Sequence, residues 1–382
     1  MDLGRRLSSA WSGSIAFVRS DPVPLAGPVE PRRAAIAALI PVVTFLGFVA
    51  IRVASRPRLN FDENIFLDVG RHILDTGLPL RAYAQPGDPR LFFDHTPLYV
   101  YFVALVTALG GPTAVILRST TLLFGLLTIL LVFRIGLEVR GLGSAFVGAM
   151  LLAVNPFFVM FSWFVRMEVP MCFFLVVAVY LLIHERLFLA GLAIATAVLL
   201  KEIALAFWLV AGAYVLVRRG LRAAVILAVP SVVAFGAWLA YANEIGHDRL
   251  LATMDRWFGS AAGVKTRDPR IHVGLRTWVN AIIGMVIGPG LIFASGATAA
   301  FLATWRRRVP PIVLVPLGYT VVAVASSFVI RLKEPRSLIA IVPMIAISIA
   351  LLVDWDEVWA TIRRSPSPEP TEPDRPPVTM AP

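Results

Sequence analysis

The sequence predicts an all-α polytopic membrane protein. Its 382 residues are 58% hydrophobic and only 15% charged, and the mean hydropathy is +0.78. Apolar runs approaching or exceeding the roughly 20 residues that cross about 30 Å of hydrocarbon recur along the chain. A soluble helical repeat does not repeat such runs, so the bilayer is the expected solvent. The net charge of +11 is mostly arginine, placed in short loops between the runs. That placement suits membrane orientation and anionic headgroups, and no nucleic-acid partner is expected. The single cysteine, Cys172, lies inside an apolar run, which leaves no intramolecular disulfide and no cysteine metal site. It reads as a small core hydrophobe.

Residues 1–33 carry Arg5, Arg6, Arg19, Arg32 and Arg33 with several prolines and no signal-peptide pattern. They are expected to be a cytoplasmic segment, and the run at 34–51 an uncleaved anchor. Further runs fall at 97–109, 113–133, 144–161, 168–183, 187–200, 203–217, 222–242, 274–304, 310–330 and 337–353. Residues 34–353 thus form the membrane domain, interrupted by two long external loops at 52–96 and 243–273. In the first loop, FDENIFLDVGRHILDTG places Ile65, Phe66, Val69, Ile73 and Leu74 at helical spacing. This predicts an amphipathic helix along the membrane surface, capped by Asn60 or Asp62. The run at 97–109 is short for a span and is expected to be half-inserted or interfacial, leaving ten or eleven transmembrane helices in all. Residues 354–382 form a cytoplasmic tail, disordered from about 361, where Pro366, Pro368, Pro370, Pro373, Pro376 and Pro377 follow one another.

Arginine clusters orient the bundle. The N-terminus, Arg218-Arg219-Arg222, Arg306-Arg307-Arg308 and Arg363-Arg364 are expected on the cytoplasmic side. Counting spans from these anchors gathers Asp62, Glu63, His95, Arg166, Glu168, Lys201, Glu202, Lys333, Glu334 and Arg336 on the opposite, external face. Charges at a membrane boundary are costly unless paired or aimed at a ligand, and this mixture of carboxylates and cations suits a phosphorylated molecule.

Asp62 can act as a helix cap or as a general base taking a proton from a hydroxyl. In His95-Thr96-Pro97, threonine fits a cap and proline the first helical turn, which leaves His95 to bind phosphate, orient Asp62 or ligate a metal. Arg166 and Glu168 read as a loop ion pair or a ligand contact. Lys201-Glu202 interrupts an apolar stretch, where the lysine either snorkels or meets a ligand. Arg336 offers a planar fork for phosphate oxygens, and Lys333 or Lys201 a point charge. Neither a nucleotide-binding loop nor a metal-ligand cluster is evident, which favours an activated donor supplied from elsewhere.

The order of these elements resembles the GT-C superfamily of polyprenyl-phosphate-sugar-dependent glycosyltransferases. It is most similar to the protein O-mannosyltransferase and aminoarabinose lipid A transferase branch, over roughly residues 34–353. Asp62 in FDENIF matches the family's catalytic acidic residue, with Glu63 its partner. His95 in HTPLYVYF matches a His-Pro-Pro-Leu motif in which Thr96 replaces the first proline. Arg166 and Glu168 in VRMEVP match an Arg-x-Asp pattern with glutamate replacing aspartate, and Lys201 sits where members carry an interfacial lysine. LKEPRSLIAIVP resembles the closing Lys-Glu-x-Arg-aromatic element, with Ser337 in place of the aromatic.

The resemblance implies a GT-C-like bundle that moves a sugar, mannose by default, from a polyprenyl-phosphate donor to an acceptor hydroxyl on a protein, lipid or glycan. It implies Asp62 and Glu63 as catalytic, and His95, Arg166, Lys201 and Arg336 as phosphate-binding. Glu168, Glu202, Lys333 and Glu334 would support them. No cofactor is obligatory, a divalent metal being optional. The expected place is the plasma membrane, with both termini cytoplasmic. A lipid-linked sugar flippase is the rival, although the inverted repeats common in transporters are not evident.

Overall fold

The structure, a computed structural model, describes residues 25–55, 60–83, 90–111, 113–254, 310–329 and 339–364. Helix α1 (Pro31–Ser55) opens on a proline, whose missing N–H costs nothing in a first turn. Helix α2 (Phe61–Thr76) is the expected amphipathic segment and ends at Gly77, left-handed at φ 77°. A two-stranded antiparallel hairpin follows, β1 (Leu80–Arg81) with β2 (Arg90–Leu91), in the register Leu80 to Leu91. Asp68 ties this hairpin to α2 by accepting hydrogen bonds from the Ala82 and Tyr83 N–H groups at 2.8 and 2.7 Å.

Helix α3 (Leu98–Gly110) is short and packs beside α2. A Cβ on Gly70 would stand 2.9 Å from Val103 Cγ1, so that crossing leaves little room for a side chain. Helix α4 (Ala114–Val139) starts at Thr113, whose hydroxyl accepts from Ile116 N–H. The run expected at 144–161 is two helices, α5 (Leu142–Ala153) and α6 (Pro156–Ser162), bent by 67°. The break is local chemistry: Asn155 caps α6 by accepting from the Phe157 and Phe158 N–H groups, and Pro156 cannot continue α5.

Helices α7 (Glu168–Ile183) and α8 (Leu187–Leu200) coincide with their apolar runs. A 3-10 turn at Glu202–Ala204 leads into α9 (Leu205–Arg219). Helix α10 (Leu221–Met254) extends past the expected end at 242, with a break at Gly246, so residues 243–254, expected in a loop, are helical. The rest of that loop lies outside the described residues. After a 3-10 turn at Pro311–Val313 come α11 (Leu314–Val329) and α12 (Ile341–Leu352). Helix α13 (Trp355–Arg364) corrects the expected tail. Trp355 is buried, and Asp356 Oδ1 accepts from Gly143 N–H at 2.9 Å, which anchors α13 to α5. Residues 365–382 lie outside the described part.

Among the described residues, Pro31–Val53, Ala114–Val139 and Leu221–His247 are long and apolar enough to cross a membrane, and the bent α5–α6 pair can be counted as a fourth. One core runs through the bundle, centred on buried side chains such as Phe45, Tyr99, Phe158, Phe207 and Tyr319. Cys172 belongs to it. The chain is a helical polytopic membrane protein, as its sequence predicts.

Candidate active site

Helix α2 begins with a reciprocal cap. Asn60 Oδ1 accepts from Glu63 N–H at 2.9 Å, and Glu63 Oε2 accepts from Asn60 N–H at 2.8 Å. Asn60 is therefore the cap, and the side chain of Asp62 is released from that task.

The two carboxylates of the pair then diverge. Glu63 is fully buried. Its Oε1 accepts from Arg118 Nε at 2.8 Å and from Val165 N–H at 3.0 Å, and its Oε2 accepts from Arg118 Nη2 at 2.8 Å. Arg118 projects from near the start of α4, only 3% exposed, with its guanidinium 5.7 Å from the Trp163 ring centroid. This bidentate pair joins α2, α4 and the loop before α7. Arg118 is the residue sequence reasoning missed, although an arginine inside an apolar run is itself a signal.

Asp62 is 25% exposed and accepts from Arg166 Nη2 at 2.6 Å. Arg166 reaches onward, with Nη1 3.9 Å from Glu168 Oε1, and its guanidinium lies 5.4 Å from the Phe161 ring centroid. Glu168, at the start of α7, accepts from Lys201 Nζ at 2.8 Å, both side chains being buried. Lys201 stands where the chain turns extended between α8 and the 3-10 turn. The result is a row of alternating charge, Asp62, Arg166, Glu168 and Lys201, drawn from three parts of the sequence. The Nε–H of Arg166 is buried and has no acceptor among the described residues.

His95 and Glu202 stand close by in sequence terms, on the chain just before α3 and just after Lys201. His95 Nδ1 lies 3.4 Å from Glu202 Oε1. Burial pushes the Glu202 carboxyl up, but the charge and hydrogen bond of His95 and the charge of Lys201 outweigh it and hold the group below the usual carboxylate range. Thr96, expected as a helix cap, instead donates its hydroxyl to the Val198 carbonyl at 2.9 Å, which fastens α3 to α8. Pro97 occupies the cap position without a side-chain bond. Lys333, Glu334 and Arg336 lie outside the described residues. Among the described residues, no group of three or more histidine, cysteine or acidic side chains is arranged to hold a metal ion.

Residues 94–254, which contain His95, Arg118, Arg166, Glu168, Lys201 and Glu202, match the family described as dolichyl-phosphate-mannose-protein mannosyltransferase. The backbone superposes on ArnT from Cupriavidus metallidurans bound to undecaprenyl phosphate, with a TM-score of 0.62 at 16% identity. The chain thus shares its backbone fold with this membrane protein. The ArnT match covers 85% of this chain and 62% of that one, so the chain spans less than two thirds of the length of ArnT. The apo state of the same ArnT gives a TM-score of 0.59 at 15% identity, covering 86% of this chain and 61% of that one. The archaeal oligosaccharyltransferase AglB from Archaeoglobus fulgidus, in complex with an inhibitory peptide and a dolichol-phosphate, gives 0.50 at 16% identity, covering 85% of this chain and 51% of that one. Among curated proteins, no sequence match is found.

Proposed function

We propose that this chain is a membrane glycosyltransferase that transfers a sugar from a polyprenyl-phosphate donor to an acceptor hydroxyl, with the site on the external face of the plasma membrane and both termini cytoplasmic. The row Asp62–Arg166–Glu168–Lys201 carries this reading. It places one partly exposed carboxylate next to an arginine with a spare donor, at the end of a bundle whose fold is shared with enzymes of this kind.

In the proposed reaction, the acceptor oxygen attacks the anomeric carbon while Asp62 takes its proton. The bond from that carbon to the phosphate oxygen breaks, and its electron pair leaves with the polyprenyl phosphate. The phosphate gains charge as it departs, which is where Arg166, Lys201 and His95 would act, with Arg336 as a fourth cation. Arriving phosphate would compete with Asp62 for Arg166, and that exchange would free the carboxylate as the donor seats. Glu63 takes a different part from the one its position beside Asp62 suggests. Its buried carboxylate is taken up by Arg118, the Val165 N–H and the Asn60 N–H of its own cap, so it is a positioning residue for α2, not a proton carrier. Glu168 and Glu202 hold Lys201 and His95 in place.

Mannose is the proposed sugar, and a protein, lipid or glycan hydroxyl the acceptor. The test is transfer of radiolabel from polyprenyl-phosphate mannose by the purified protein in liposomes. Loss of transfer in Asp62→Asn is the expected result, and undiminished transfer would overturn the assignment of the base.

A further inference from the structure

Helices α7 to α10 run back and forth between two ends of the bundle. Helix α7 starts at Glu168 and ends at Ile183, α8 returns from Leu187 to the neighbourhood of Lys201, and α9 leads away again to Arg219. At 1.5 Å per residue, the far end lies roughly 21–24 Å from the Glu168–Lys201 pair. A pocket of about 300 Å³ opens at that far end. Leu182, Leu187 and Ile226 supply apolar wall, and Arg218, Arg219 and Arg222 supply charge.

The arginines are held to different degrees. Arg218 donates to the Tyr214 hydroxyl at 2.6 Å and lies over its ring. Arg219 pairs with Glu185, which adopts a left-handed backbone at φ 59° in the tight turn between α7 and α8. Arg222 is exposed and makes no ion pair among the described residues. Three guanidinium groups therefore share one carboxylate in the pocket lining.

The surface beyond the pocket has a direction. Arg222, Ile226, Val229 and Val233 follow one another at three- and four-residue spacing and so share one face of α10. Ile226, Val229 and Val233 are 39%, 44% and 64% exposed. A positive group thus leads directly into an apolar track that faces outward from the bundle. An orientation signal requires arginines near a helix end, but it requires neither a concave pocket nor an aligned apolar track.

We propose that this pocket binds the phosphate headgroup of an anionic glycerophospholipid, from the leaflet opposite the Asp62 row, with one acyl chain lying along Ile226, Val229 and Val233. Basic pockets between transmembrane helices bind such headgroups through charge-assisted hydrogen bonds, and the hydrocarbon track distinguishes a lipid from free phosphate. The assignment does not depend on the transferase reading.

The full-length protein would be reconstituted in phosphatidylcholine vesicles carrying trace spin-labelled phosphatidylglycerol or phosphatidylcholine, and the motionally restricted fraction of each measured. The wild type is expected to prefer phosphatidylglycerol. Arg222→Gln, a change on an exposed side chain that leaves packing alone, should lower that preference roughly fivefold. R218Q/R219Q/R222Q should lower it further, while R306Q/R307Q/R308Q, an equal change in net charge, should leave it intact. An unchanged preference in Arg222→Gln would overturn the proposal, as would equal losses in the two triple variants. So would complete competition by millimolar inorganic phosphate, because it would show a soluble-anion site.

Discussion

Asp62 and Glu63 are neighbours in sequence and opposites in structure. Glu63 is sealed in the bundle, with four hydrogen bonds, two of them from a bidentate arginine. Asp62 is partly exposed and meets an arginine that also faces Glu168. A helix advances 100° per residue, so adjacent side chains cannot share one environment. The inward one can brace the fold, and the outward one can meet a substrate. The difference teaches that a conspicuous pair of charges need not be a catalytic pair.

The largest effect should come from breaking the brace. Glu63→Ala leaves Arg118 buried without its partner, a class of change that costs about 3–5 kcal/mol, and thermal unfolding in detergent should show it. The double variant E63L/R118M should recover much of that loss, because two apolar groups leave no buried charge behind. Wild-type stability in Glu63→Ala would erase the contrast with Asp62.

Next comes Asp62→Asn, which should lower turnover by about 10²–10⁴-fold while melting near the wild-type temperature. A variant that instead loses stability like Glu63→Ala would make Asp62 a second brace. Lys201→Met should weaken donor binding by about 1.5–3 kcal/mol, the worth of a hydrogen bond to a charged group, and Lys201→Arg should restore part of it. Titration with the polyprenyl-phosphate sugar reads this directly, and unchanged affinity would confine Lys201 to pairing with Glu168.

The smallest effect concerns acid. Glu202 is held below the ordinary carboxylate range, so it contributes stability above its unfolded value of about 4.3 and loses it as pH falls through the lower folded value. His95→Gln removes a group that lowers Glu202, so the acid-side loss should be smaller and should be complete at higher pH. Melting temperatures between about pH 3 and 6 would check the sign, and identical profiles would remove the His95–Glu202 coupling.

Much of the fold was legible before any coordinates. The runs at 168–183 and 187–200 are the helices α7 and α8 to the residue, and the amphipathic spacing after Asn60 is α2. The break at Asn155-Pro156 was equally local, yet its cap and proline were overridden by the continuous apolar run around them. Helix α13 was hidden by the proline-rich residues that follow it, although WDEVWATIRR carries none itself. For the site, the sequence placed Asp62, Arg166, Glu168 and Lys201 on one face, and the structure brings them into contact. The roles within that group were not legible. Thr96 looked like a cap and is a tie between α3 and α8.

Helix positions, the membrane setting and the gathering of charge at one end were determined by the sequence itself. In hydrocarbon each segment must satisfy its own backbone, so spans are written locally and can be read locally. Which carboxylate turns inward, and that Arg118 waits for it 55 residues away, was decided only by tertiary structure. Those outcomes depend on how far each helix is rotated about its axis, and that rotation is set by packing among all its neighbours rather than by any one segment.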